Sequence, residues 1–277
     1  MNRLSIERRA RIISCLVEGN SLRATARITD SAINTVVKLL VDVGQACSEY
    51  QDKALRNLKK CKRLQCDEIW SFCYAKQKNV PEAKKAQFGY GDIWTWTAIC
   101  ADTKLVPSWL VGNRDAETAD MFIDDLASRL PHKVQLTTDG HKAYLEAVEE
   151  AFGADIDYAM LVKMYGESTE QKLQKRYSPA KFTGSKVEVI TGNPDRHHIS
   201  TSYAERQNLT MRMGMRRFTR LTNAFSKKVE NLAHAVSLHF MYYNFARIHK
   251  TLRVAPAMEA GVSGHLWNLE EIAALAD

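Results

Sequence analysis

Three acidic residues, Asp67, Asp139 and Glu205, stand where a carboxylate needs a reason. Asp67 lies inside LQCDEIW, a run of strand-forming residues, although aspartate is disfavoured in strands and costly to bury as an anion. Asp139 stands at the end of VQLTTDG, which reads as a short buried strand ending in a polar turn. Glu205 heads the segment Ser200 to Arg220, whose other charges are all arginine: Arg206, Arg212, Arg216, Arg217 and Arg220. At helical spacing Glu205, Asn208 and Arg212 stand at i, i+3 and i+7 and share one face. Such a face offers a carboxylate and basic donors to a single anion, as action on a phosphodiester requires.

Each feature also has an ordinary reading. An arginine-rich helix is usually a solvated face, and one Glu near its start can answer the helix dipole. Asp139 before Gly140 is a common turn signal, and Asp67 could pair with Lys or Arg. The three acids together favour a metal site. If the two strands lie side by side, Asp67 and Asp139 repel each other unless a divalent cation intervenes, and hard oxygen ligands suit Mg²⁺ or Mn²⁺. With Glu205 they could hold two ions roughly 3.5–4 Å apart, suited to in-line phosphoryl transfer. The three are too distant in sequence for local contact, so the fold must bring them together.

Neighbouring candidates carry weaker signals. Glu68 follows Asp67 and, by strand alternation, is expected to face outward as a partner and not a ligand. His197 and His198 read as loop residues, Asp102 as a hairpin residue, and His141 and His249 as phosphate contacts of low specificity. Trp70, Trp94 and Trp96 read as core aromatics.

The elements that must position these groups can be read from periodicity. LQCDEIWSFCYAK and GDIWTWTAICADTK predict antiparallel strands around the basic, turn-prone NVPEAKKAQFGYG, and LVPSWLVGN predicts a third strand. Ala119, Phe122, Ile123, Leu126 and Leu130 predict a helix, and VQLTTDG a strand free to pair parallel to an earlier one. DYAMLVKMYG and KVEVITG predict two more strands around a basic insertion. The stretch from Tyr203 to Ala246 reads as essentially helical. The fold class is α/β, matching a ribonuclease H-like mixed sheet with flanking helices.

Residues 4 to 43 predict three short helices. Ser21 and Ser31 are expected as caps, with Leu22, Ala26 and Ile28 inward on the second helix and Ile33, Val36, Val37 and Leu40 on the third. The last two resemble a helix-turn-helix, whose turn ITDSA lacks the usual Gly. Arg23, Arg27 and Lys38 would contact phosphate, and Asn34 and Thr35 are small polar groups on the outward face. The expected division is a helix-turn-helix domain at 1–44, a linker helix at 45–62, a catalytic domain at 63–250 with an insertion around 155–200, and a polar tail at 251–277.

Composition agrees with a polyanionic partner. There are 39 basic and 32 acidic residues, a formal charge of +7, and the basic excess concentrates between Arg206 and Lys228. The content is that of a globular protein, with no apolar run long enough to span a bilayer, and the N-terminus reads as an uncleaved cytosolic start. Six cysteines fall in the first part of the chain without a CxxC pair, so they are expected as reduced thiols.

CDEIW, TTDGHKAY and STSYAERQNLTMRM…RRFTRLTNAFSKK resemble the DDE transposases of the insertion-sequence-one type, across most of the chain. SLRATARITDSAINTVVKLL resembles the N-terminal helix-turn-helix of that group, and YYNFARIHKTLRVAPAMEAG the tail found in many DDE recombinases. The resemblance implies a ribonuclease H-like catalytic domain, with Asp67, Asp139 and Glu205 corresponding to the catalytic acids. It further implies Mg²⁺-dependent DNA strand cleavage and strand transfer, and binding to terminal inverted repeats. A two-ended reaction implies a homodimer or higher oligomer. A ribonuclease H-like nuclease and a catalytically inactive DNA-binding regulator are the alternatives.

Overall fold

The structure, a computed structural model, describes residues 4–166, 181–219 and 223–277. The chain opens with α1 (Ile6–Val17), capped by Ser5, whose Oγ accepts from Arg8 N at 3.4 Å, and buried through Ile12, Ile13 and Val17. In α2 (Leu22–Ile28) Ser21 caps as expected, accepting from Ala24 N at 3.1 Å. The turn that lacks a glycine places Asp30 at φ +47°, a conformation that Asp tolerates better than most residues. The expected Ser31 cap is not formed: Ala32 holds the N-cap position of α3 (Ile33–Ala54), and Ser31 Oγ donates to Thr29 O instead. The inward face also shifts. Thr25 is buried while Ile28 is 55% exposed, and Val36, Leu39, Leu40 and Val43 form the core side of α3 while Ile33 is turned out.

Among the described residues six strands form one mixed sheet: β1 (Arg63–Cys73), β2 (Gly91–Cys100), β3 (Ser108–Gly112), β4 (Val134–Thr138), β5 (Ile156–Gly166) and β6 (Lys181–Thr191). Their order is β3-β2-β1-β4-β5-β6. The first three are antiparallel, β4 is parallel to β1 and β5, and β6 returns antiparallel to β5. This helix-flanked sheet is compatible with a ribonuclease H-like fold. On one face α4 (Ala116–Ser128) and α5 (Ala143–Phe152) bury Phe122, Ile123, Leu126 and Tyr144 with Leu64, Cys66, Trp96 and Leu136. On the other, α6 (Ser202–Gly214) and α7 (Val229–Met241) bury Ala204, Met211, Leu232, Val236 and Phe240 with Ile69, Cys73, Ile93 and Ile99.

The N-terminal helices share the core of the sheet region. The expected linker helix is largely a continuation of α3, which runs 22 residues and lies along α7. Gln51 Nε2 donates to Ser237 O at 3.1 Å across that contact. At the end of α3, the nearly buried Arg129 guanidinium reaches Leu55 O and Asp52 at 3.0 Å each and Asp125 at 2.8 Å. Nor is 251–277 a polar tail. It forms α8 (Pro256–Glu259) and α9 (Leu269–Ala274), which buries Ile272 and Ala273 against α1. Arg9 fixes this contact through Ala273 O at 3.0 Å and Asp277 at 2.6 Å. All six cysteines are free thiols, five of them buried. No helix among the described residues is long and apolar enough to cross a membrane.

His239 on α7 is buried, and neither ring nitrogen has a protein partner. Burial first, and Arg247 second, lower its pKa to about 3. The folded pKa lies below the unfolded value, so its full stability contribution is present above about pH 6.5 and is lost as pH falls toward the folded pKa. Below about pH 6 the loss approaches roughly 1.4 kcal/mol per pH unit. His239→Leu is expected to flatten the pH 6 to 4.5 stability profile by one proton's worth. Urea titrations at several pH values check this, and parallel profiles for wild type and variant would refute it.

Candidate active site

The site is a notch in the sheet, created by unequal strand lengths. β1 pairs with β4 only over Arg63–Gln65, and β4 stops at Thr138, while β1 continues to Cys73 and β5 to Gly166. The registers Gln65↔Thr137 and Thr138↔Met160, carried past the end of β4, set Asp67, Asp139 and Leu161 at one level. Asp67 and Glu68 form one wall, Leu161 to Lys163 the other, and Asp139 to Lys142 the floor of a cleft of about 980 Å³. Gly140 allows the walls to close: a Cβ there would stand 3.1 Å from Val162 Cγ2.

One side chain of β1 sets the position of α6. The buried Gln65 accepts through Oε1 from Tyr203 N at 2.7 Å and Ala204 N at 3.3 Å, satisfying N–H groups that open the helix. Ala204 and Met211 then pack onto the sheet, which turns Glu205, Asn208 and Arg212 into the cleft on the single face that their spacing predicted. Asn208 Nδ2 donates to Asp67 Oδ2 at 2.8 Å, and the Glu68 N–H donates to Asp67 Oδ1 at 2.8 Å. Glu205 accepts from Thr201 Oγ1 at 2.6 Å and forms an ion pair with Lys163.

Carboxylate oxygens of Asp67, Glu68 and Asp139 lie within 4.8 Å of one another. Glu205 borders the same cleft outside that group. Burial first, and the charge of Asp139 second, push the Asp67 carboxyl up to about 6; Glu205 adds to the rise, while the Glu68 N–H and Lys163 oppose it. Burial and Asp139 also push Glu68 up to about 7, against the opposing influence of Tyr144 and Arg114. Both shifts are those of buried carboxylates crowded against like charge, an arrangement that costs stability.

Glu68 corrects an expectation. It does lie opposite Asp67 in the strand alternation, but that face is covered, and its side chain is 1% exposed. Arg114, which follows β3, donates to Glu68 Oε2 through Nε at 3.2 Å, approaches Asp139 at 3.8 Å and rests on the Trp94 ring at 4.8 Å. His141 donates its backbone N–H to Asp139 Oδ1 at 2.9 Å and stacks on Trp96. Arg114, Lys163 and Gln65 carried no sequence signal, because each acts through a partner distant in the chain.

The remaining predicted residues fall elsewhere. Arg206 is exposed on α6, away from the residues lining the cleft. The helix ends at Gly214, so Arg216 and Arg217 leave its axis; Arg217 is pulled inward, donating to Ser226 Oγ at 3.0 Å, and burial lowers its pKa to about 10. Arg220 lies outside the described residues. Arg23, Arg216, Arg217 and Lys227 line a second cavity, of about 790 Å³, beside α1 to α3. Arg23, Arg27, Asn34 and Lys38 are solvent-exposed, Thr35 is partly so, and Lys38 pairs with Asp42 at 2.9 Å.

His197 and His198 sit on an exposed turn after β6, with His198 Nδ1 2.7 Å from Arg63 Nη1. Asp102 pairs with the same arginine, accepting from its Nε at 2.8 Å. His249 bonds Thr251 within its own turn. Trp96 is fully buried, as expected of a core aromatic, whereas Trp70 and Trp94 are half-buried. No protein-family model matches the chain, and no curated protein matches it.

Proposed function

We propose that the protein is a DNA transposase of the DDE type, built on a ribonuclease H-like sheet, that cleaves and joins DNA strands with a divalent cation. The observation that carries this reading is the notch itself: Asp67 and Asp139 meet at one level where β4 ends, with Glu205 on a helix fastened beside them. The donor set fits Mg²⁺ or Mn²⁺, being hard carboxylate oxygens crowded enough to raise one another's pKa. Asp67 and Asp139, joined by Glu205, would hold the cation, which supplies Lewis acidity toward a phosphodiester and a more acidic attacking water or 3′-hydroxyl.

The chain's own groups do the rest. Asn208 fixes the Asp67 carboxylate, and Arg114, Lys142, Lys163 and Arg212 bring positive charge to the cleft walls, where a phosphodiester would lie. Arg23, Arg27, Asn34, Thr35 and Lys38 would bind transposon ends as a helix-turn-helix, with the arginines after Glu205 following the backbone toward the cut. Two copies would serve two ends.

The test incubates the full chain with DNA carrying the terminal repeats that flank its coding region. Expected is Mg²⁺-dependent nicking followed by covalent joining of the 3′ end to target DNA, with neither step in EDTA. Nicking without joining would instead favour a nuclease. DNA binding with no cleavage in any divalent metal would favour a regulator and refute the proposal.

A further inference from the structure

We propose that Glu68 is a ligand of the bound cation, supplied from the opposite face of β1 and held in place by Arg114. This rests on the reading of the cleft as a cation-dependent phosphodiester site. A strand normally sends adjacent side chains to opposite faces, which would keep Asp67 and Glu68 from serving one ion. Here the notch removes that barrier. With β4 ended at Thr138, the edge of β1 beyond Gln65 is open toward Asp139, and carboxylates from both faces of the strand converge on it. The resulting group within 4.8 Å comprises Asp67, Glu68 and Asp139.

The hydrogen bonding of Glu68 is half complete. Oε2 takes both Nε and Nη2 of Arg114 at 3.2 Å, whereas Oε1 is buried and makes no hydrogen bond of normal geometry, although the equally buried Tyr144 hydroxyl lies close enough to Glu68 to lower its pKa. A carboxylate kept only to pair with an arginine would be expected to engage both oxygens, and a buried unsatisfied acceptor costs about 1–3 kcal/mol. Across the cleft, Asn208 repeats the pattern: it is 4% exposed, its Nδ2 holds Asp67, and its Oδ1 is buried without a partner. Two orphaned oxygens of nearly buried side chains thus border a cleft already lined by carboxylates. Arg114, tied to Glu68, near Asp139 and seated on Trp94, has the place of an outer group that orients a ligand.

Binding of Mn²⁺ to the full chain without DNA, followed by the paramagnetic resonance signal of the free ion, tests this without recourse to activity. Glu68→Gln keeps the shape and removes the charge, while Glu68→Asp keeps the charge and withdraws the carboxylate by one methylene. Both are expected to weaken Mn²⁺ binding at least about tenfold. Mn²⁺ affinity in E68D equal to wild type would overturn the proposal, since charge alone would then suffice. If E68Q does not fold, E68D carries the test, because it retains an anionic partner for Arg114. Asp67→Asn and Asp139→Asn serve as references. If they lose binding and the Glu68 variants do not, only the role of Glu68 falls; if they too bind as wild type does, the cation reading falls with it.

Discussion

Asp67→Asn and Asp139→Asn are each expected to lower strand cleavage at least about 10³-fold, roughly 4 kcal/mol in barrier, while leaving DNA binding within a few-fold of wild type. Asparagine preserves shape; at position 67 its oxygen can keep the Glu68 N–H, and Asn208 keeps its contact by turning its amide over so that Oδ1 accepts from the new NH2 group. Charge is what disappears, and a cation held by hard carboxylates tolerates that loss poorly. The same substitutions are expected to stabilise the metal-free protein. At pH 7.5 in EDTA, Asp67, Glu68 and Asp139 crowd their charges into a partly buried notch, each a burden on the others. Removing one charge relieves that repulsion by about 1–3 kcal/mol, which raises Tm by several degrees.

Loss of cleavage combined with gain of stability separates a functional acid from a structural one, whose removal costs stability. Thermal melts with and without Mn²⁺ complete the pattern: wild type gains Tm from the ion and D67N does not. Retained cleavage in D67N or D139N would sink the proposed function. Glu205→Gln is expected to lose cleavage without the gain in Tm. Glu205 is outside the tight group and forfeits its pair with Lys163, a partly exposed contact worth about 0–1 kcal/mol.

How much of this was legible in the sequence varies with the range of the interaction. Strand and helix periods are local, so β1 to β4 and α4 were readable, as was the shared face of Glu205, Asn208 and Arg212 on α6. Asp67 declared itself by standing where strand propensity opposes it. Glu68 was misjudged because alternation tells which face a residue takes and not whether that face is covered; here Tyr144 and Arg114 cover it. The inward turn of Arg217 toward Ser226 was not readable, because charge counts carry no burial. The unbroken length of α3 was missed because polarity rises after Gly44 and the sequence resembles a linker, although no proline interrupts it.

Gly44 makes the union of the helical layer with the sheet region testable. Gly→Ala inside a helix normally stabilises by about 1 kcal/mol. At Gly44 the opposite is expected, because a Cβ would stand 2.6 Å from His234 O and 2.8 Å from His234 Cα, backbone atoms of α7 that cannot give way. Helix α3 must then retreat from α7, loosening the Val43 and Cys47 contacts with Leu238 and Met241 and straining the Gln51 bond to Ser237. Overpacking of this kind costs about 1–3 kcal/mol net for G44A and more for Gly44→Val, or a fall in Tm of roughly 3–9 °C for the smaller change. Gly264→Ala is the control, since nothing lies within 4 Å of its Cβ. Stabilisation by G44A would mean that α3 does not press on α7. Destabilisation means that α7 is held between the sheet on one side and α3 on the other.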